Sequence, residues 1–205
     1  MKPFETGCKK VRRRIYLHDA LFLKEASGSI DSLDMICPYA FREPLAPEPA
    51  SAFDRVRINL TQLDRIYGEI DRRHDIVLVE GAGGILVPIK NKFFYVDLIE
   101  RWKIPVLIVA RLGLGTINHT LLTTHYLHSR GVKVLGVILN DTDGVKTRAT
   151  LTNPQLLKKY LPVPVLGIFP YIQGFREGQV ERKRLATLVS KHIHTEKILK
   201  ALHFL

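Results

Sequence analysis

The chain has 205 residues, 46% hydrophobic and 25% charged, which excludes a disordered tail, a collagen-like repeat and a coiled coil. Its formal charge of +11 favours anionic ligands, but the basic clusters (Lys9–Arg14, Arg72-Arg73 and the C-terminal segment) do not interleave with aromatics, so they read as solvated surface and no nucleic-acid partner is expected. Two cysteines, Cys8 and Cys37, are too few for a disulfide scaffold and fit a reducing cytoplasm, and no apolar run reaches the ~18 residues of a membrane span, so no membrane partner is expected either.

In chain order, Lys2-Pro3-Phe4-Glu5-Thr6-Gly7 is an extended, proline-restrained opening. A helical pattern begins near Asp19. The stretch from Cys37 to Ala52, with Pro38, Pro44, Pro47 and Pro49, predicts a surface loop without regular structure. Asn59 starts a helix carrying Leu60, Leu63, Ile66 and Ile70, with Gln62 placed for a capping box. Four apolar runs predict strands buried on both faces: Ile76–Val79, Val106–Val109, Val134–Leu139 and Val163–Ile168. A helix bearing Leu121, Leu122 and Tyr126 is expected after Gly115, and one long C-terminal helix through Leu185, Leu188, Ile193, Leu199 and Leu202. Strands alternating with helices predict a single α/β domain over residues 1–205, built on a doubly wound, mostly parallel sheet.

Several segments carry chemistry. Glu80-Gly81-Ala82-Gly83-Gly84 follows a predicted strand at its carboxyl end, where open α/β sheets bind ligands, and its glycines let backbone N–H groups approach an anion. The bland alternative is a tight turn with a partly exposed acid. Lys2 and Thr6 could face a bound anion together, although a terminal lysine is more often solvated. Asp19 reads equally as a first-turn acid. Gly115, Thr116 and Asn118 open a helix whose free N–H groups suit a carboxylate or phosphate, and read equally as an ordinary strand–helix turn. Asn140-Asp141 and Pro170-Tyr171-Ile172 follow strands, and an Asn side chain there can read a base edge, although by themselves these residues read as a turn.

Taken in order, Lys2–Gly7, Asp19-Ala20-Leu21, Pro38–Pro44, Val79–Gly84, Leu114–His119, Gly136–Asn140 and Gly167–Pro170 resemble the dethiobiotin synthetases, ATP-dependent ring-closing ligases of biotin synthesis. The resemblance implies a P-loop NTPase-type fold and a reaction of 7,8-diaminopelargonate, CO2 and ATP, with Mg²⁺ as cofactor. It implies that Lys2 is catalytic, that Asp19 and Glu80 hold Mg²⁺, and that Thr6, Gly83, Gly115, Thr116 and Asn118 bind substrate. Asp19, Glu80, Gly81, Ala82, Gly83, Asn140, Asp141, Pro170, Tyr171, Ile172 and Glu177 would surround the nucleotide. A homodimer with shared active sites follows, the helix start at Gly115–Asn118 reaching the neighbour's substrate.

The family opens with a strand and a Gly-x-x-x-x-Gly-Lys-Thr phosphate loop, and neither stands in these 205 residues. The expectation is therefore an N-terminally truncated domain, with Met1 an internal methionine or the edge of a fragment, and with poor ATP affinity until the upstream segment is restored. The alternatives are a related P-loop ligase or ATPase, and a non-enzymatic dimeric remnant.

Overall fold

In a computed structural model describing residues 1–11, 14–174 and 182–203, the extended opening becomes a short strand, β1 (Phe4–Glu5). It is followed by the hairpin β2 (Lys9–Val11) and β3 (Arg14–Tyr16), then α1 (His18–Ser27), α2 (Leu33–Ile36) and β4 (Tyr39–Ala40). Next come α3 (Pro47–Phe53), α4 (Leu60–Asp71), the hairpin β5 (Pro88–Lys90) and β6 (Phe93–Phe94), and α5 (Tyr95–Trp102). These elements form one unit, Met1–Trp102. β1 pairs in parallel with β4, Phe4 opposite Tyr39. The Phe4 ring stacks on Tyr39 (5.5 Å) and meets Tyr95 edge-on (6.0 Å), in a core completed by Phe41, Leu63, Ile89 and Leu98. Both cysteines are buried as free thiols, and burial pushes them up to about 11 (Cys8) and about 12 (Cys37).

Two expectations fail in this unit. Ile76–Val79 is not a strand, and Leu78 is 77% exposed. Among the described residues its backbone partner is Met1, whose ammonium donates to Leu78 O at 2.6 Å and whose carbonyl accepts from the N–H of Glu80, just beyond the run, at 2.9 Å, and one residue cannot supply a ladder. The proline-rich stretch, in contrast, does contain regular structure. Pro47 and Pro49 lie in the first turn of α3, where a missing N–H breaks no helical bond, and β4 sits between Pro38 and Pro44. The Asn59 cap of α4 is present, its side chain accepting from Gln62 N–H at 3.1 Å.

The second unit, Lys103–Leu205, is a parallel sheet of β7 (Val106–Arg111), β8 (Val134–Asn140) and β9 (Val165–Phe169) in that order. It carries α6 (Thr116–Ser129), α7 (Arg148–Tyr160), α8 (Arg182–His192) and α9 (Thr195–Ala201). Ala110 pairs with Leu139 and Leu139 with Ile168, so the carboxyl ends of the three strands lie side by side. The α/β class with mostly parallel pairing is as the apolar runs predict.

Details differ here too. Val109 in β7, at the sheet edge, is 64% exposed, so that strand is not covered on both faces within its unit. The buried stripe of α6 is Thr116, Thr120, Thr124 and Leu127, while Leu122 faces out. The single C-terminal helix is two. Ile193 bridges to Gly167 and His194 N–H donates to Leu166 O (2.8 Å), spending backbone bonds on β9 that an unbroken helix would keep. Among the described residues, no helix is long and apolar enough to cross a membrane.

Candidate functional site

Pro3 and Phe4 anchor the opening segment in the core, so Lys2, two residues before Phe4, is carried inside and left only 4% exposed. Its N–H donates to Ile36 O at 2.7 Å, fixing the backbone. Nζ then lies 2.8 Å from Asp19 Oδ2 and 2.9 Å from Glu80 Oε1, and donates to Gly81 O at 3.3 Å. Burial alone would lower the ammonium pKa, but the hydrogen bonds to Asp19 and Glu80 outweigh it and hold Lys2 above its ordinary value. The lysine is a fixed cation.

Asp19 sits in the first turn of α1, where an acid meets the positive end of the helix dipole. Glu80 is placed by the Met1 bond to its N–H. The two carboxylate side chains are 42% and 53% exposed, so they line the open side of a lysine held from within. Gly81 rests against the Tyr95 ring. Gly83 adopts φ +82°, and a Cβ there would stand 2.9 Å from Val87 Cγ2, so this turn requires glycine. Thr6, half-buried, follows β1, and the chain beyond it is tied by Gly7 N–H to Glu43 O and Cys8 N–H to Phe41 O.

Among the described residues no three His, Cys, Asp or Glu gather as an all-protein metal cage. Asp19 and Glu80 converge on the Lys2 ammonium, and a pair of partly exposed carboxylates is the donor set Mg²⁺ takes when waters and substrate phosphates complete its shell, so their chemistry suits that ion.

The second unit holds the other expected residues. Leu112 and Gly113 carbonyls each accept from Asn153 Nδ2 at 3.0 Å, a buried side chain of α7 that sequence reasoning passed over. This fixes the turn into α6, whose first residues have no side-chain cap, so their N–H groups are left to other acceptors. Gly115 is half-buried with φ +89° and Asn118 is exposed. Thr116 is buried, its hydroxyl 3.2 Å from that of Thr120 and its N–H bonded to Gly113 O at 3.4 Å, so both of its donors are already engaged within the fold. Arg111, at the end of β7, donates to His119 Nδ1 at 3.1 Å beside that turn.

At the carboxyl ends of β8 and β9, Asn140 O accepts from Leu112 N–H and Asp141 N–H donates to Phe169 O. Asp141 Oδ1 accepts from Gly144 N–H at 3.0 Å, and the Tyr171 ring packs so closely on Gly144 that a Cβ there would lie 2.6 Å away. Asn140, Asp141 and Tyr171 are thus gathered, with Pro170 and Ile172 next in the chain. Glu177 lies outside the described residues.

Glu5 was missed as well. It is buried, its Oε1 accepting from Asp19 N–H at 3.1 Å and its Oε2 from Ala20 N–H at 3.0 Å. Only its position inside the Lys2–Gly7 motif could have signalled it.

A family model described as an AAA domain matches residues 1–178. An ATP-dependent dethiobiotin synthetase of Thermodesulfovibrio yellowstonii is 37% identical over 188 residues, covering 88% of this chain and 78% of that protein. One of Bacillus velezensis is 34% identical, over 97% of this chain and 82% of its own. One of Aquifex aeolicus is 40% identical, over 83% and 72%. With the lysine, two carboxylates and glycine turn of the motif assembled in one place, these matches leave one assignment: the chain belongs to the dethiobiotin synthetase family.

Proposed function

We propose that the protein carboxylates 7,8-diaminopelargonate with CO2 and closes the ureido ring at the expense of ATP, releasing dethiobiotin, ADP and phosphate. The observation that carries this reading is the buried Lys2 ammonium held between Asp19 and Glu80 beside a glycine turn. One substrate amine attacks CO2 and loses a proton to give a carbamate. A carbamate oxygen attacks the γ-phosphorus of ATP and ADP leaves. The second amine then attacks the carbonyl carbon of this mixed anhydride, expelling phosphate and closing the ring.

Each step moves negative charge, and Lys2 is built to meet it. Held protonated above its ordinary value, it acts as a permanent cation toward the carbamate and the transferred phosphoryl group and does not serve as a base. Asp19 and Glu80 would hold Mg²⁺, which neutralises phosphate charge when bound. Thr6 and the Gly81–Gly83 backbone orient substrate and nucleotide. Asn140, Asp141, Pro170, Tyr171 and Ile172 form the adenine side. The helix start at Gly115–Asn118 takes the substrate carboxylate of the neighbouring subunit in a homodimer, a role supported by the absence of a side-chain cap on α6, although Thr116 N–H already meets Gly113 O at 3.4 Å.

ATP turnover, measured with and without diaminopelargonate in a form that carries the family's opening strand and phosphate loop, tests the reading. ADP and dethiobiotin should form in equal amounts, and only when diaminopelargonate is present. ATP hydrolysis indifferent to it would instead indicate a related ATPase, and stable dimers that turn over nothing a binding protein.

A further inference from the structure

Among the described residues, Glu5 is a buried acid whose carboxylate is bonded by backbone amides and not by a cation. An isolated buried carboxylate is strongly disfavoured, so its surroundings must compensate. They do so through α1. The residue before that helix, Leu17, offers no side-chain cap, which leaves the first amides of α1 without acceptors. Glu5 fills two of them, one with each oxygen, and its charge opposes the positive end of the helix dipole. The cap of α1 is therefore supplied by a strand, from a residue 14 positions away.

The consequence reaches the site. One of the two amides gripped is that of Asp19 itself, and the residue gripping it lies on the same extended segment as Lys2. The segment from Lys2 to Glu5, the first turn of α1, and the Asp19–Lys2 ion pair at 2.8 Å close a ring of contacts. Within that ring Asp19 cannot move away from Lys2 without breaking a charge-assisted hydrogen bond. Resting on the reading proposed above, we propose that Glu5 is a positioning residue: a cap built across the fold that sets the Asp19 carboxylate relative to Lys2 and Glu80, and so sets the affinity of that pair for a divalent cation. The residue type is chemically required. Both oxygens accept, whereas a glutamine would accept with one atom and turn an NH₂ donor against the second amide.

Glu5→Gln tests this in the whole chain, with Mn²⁺ as probe for the cation. Amide hydrogen exchange at Asp19 and Ala20 should quicken about tenfold, reporting the lost cap. The Mn²⁺ dissociation constant, measured without nucleotide, should rise about tenfold. Asp54→Asn, which breaks the distant Arg42–Asp54 pair, serves as a control for lost stability and should leave both readings as in the wild type. Unchanged exchange in Glu5→Gln overturns the cap, and faster exchange with unchanged Mn²⁺ affinity overturns its role at the site. A wild type that binds no Mn²⁺ overturns the cation assignment to Asp19 and Glu80 and this proposal with it, which separates that failure from one confined to the variant.

Discussion

Away from the site, Asp31 is the centre of a polar cluster: its buried carboxylate accepts from Ser29 Oγ at 2.9 Å and lies 2.6 Å from His74 Nε2 and 3.0 Å from the Arg73 guanidinium. Burial would raise its pKa, but the bonds from Ser29 and His74 and the Arg73 charge win and hold it below the usual carboxylate range. A depressed folded pKa contributes stability that is present above the ordinary value near ~3.9 and is lost as pH falls through the folded one. Asp31→Asn should therefore lower unfolding free energy in urea by about 2 kcal/mol at pH 7. The gap from wild type should narrow as pH drops below about 4, and a gap independent of pH would contradict this. Lys2 makes the complementary point about reading single residues. In the sequence it is a chain-end lysine, and its burial rests on Glu80, 78 positions on, which no local pattern reveals.

Among the elements, the break between α8 and α9 shows what hydrophobic spacing leaves out. The periodicity through Ile193 continues, but the backbone at that point is committed to β9, and Gly167 is what permits the approach. A Cβ at Gly167 would stand 2.1 Å from His192 O, a backbone atom with no freedom to swing away. Gly167→Ala should destabilise by about 3 kcal/mol and speed exchange of the His194 amide, which now donates to Leu166 O. An alanine variant with wild-type stability would show that the helices pack less tightly than this. At the other end of the sheet, Asn118→Ala at the uncapped start of α6 should raise the KM for diaminopelargonate about tenfold and leave that for ATP nearly unchanged, in steady-state kinetics. Equal rises in both would place α6 wrongly. The strands of the second unit were legible because each is an apolar run between turn formers, and α4 because Asn59 caps it. The buried face of α6 was not, since threonines fill it through hydroxyl bonds to Thr120 and not through hydrophobicity. Nor was α3, where prolines that exclude a helix interior are tolerated in its first turn.

Across the whole molecule, the residues assigned to phosphoryl chemistry (Lys2, Asp19, Glu80) belong to Met1–Trp102, and those assigned to adenine and to the substrate carboxylate belong to Lys103–Leu205. The family match runs through both. The motif order made this site legible as a set, while its geometry came from the core that draws Pro3 and Phe4 inward and from the cap on α1. The central claim is that Lys2 is the cation at the reacting carbamate. Supplying ¹³C-bicarbonate with ATP, Mg²⁺ and diaminopelargonate and following ¹³C at the ureido carbon of dethiobiotin, in wild type and Lys2→Met, tests it most directly. With the family's opening strand and phosphate loop restored, labelled product is expected from the form that keeps Lys2, at a rate at least about a hundredfold above that of Lys2→Met, with the variant still folded by its melting curve. Label appearing at equal rates in both would contradict it.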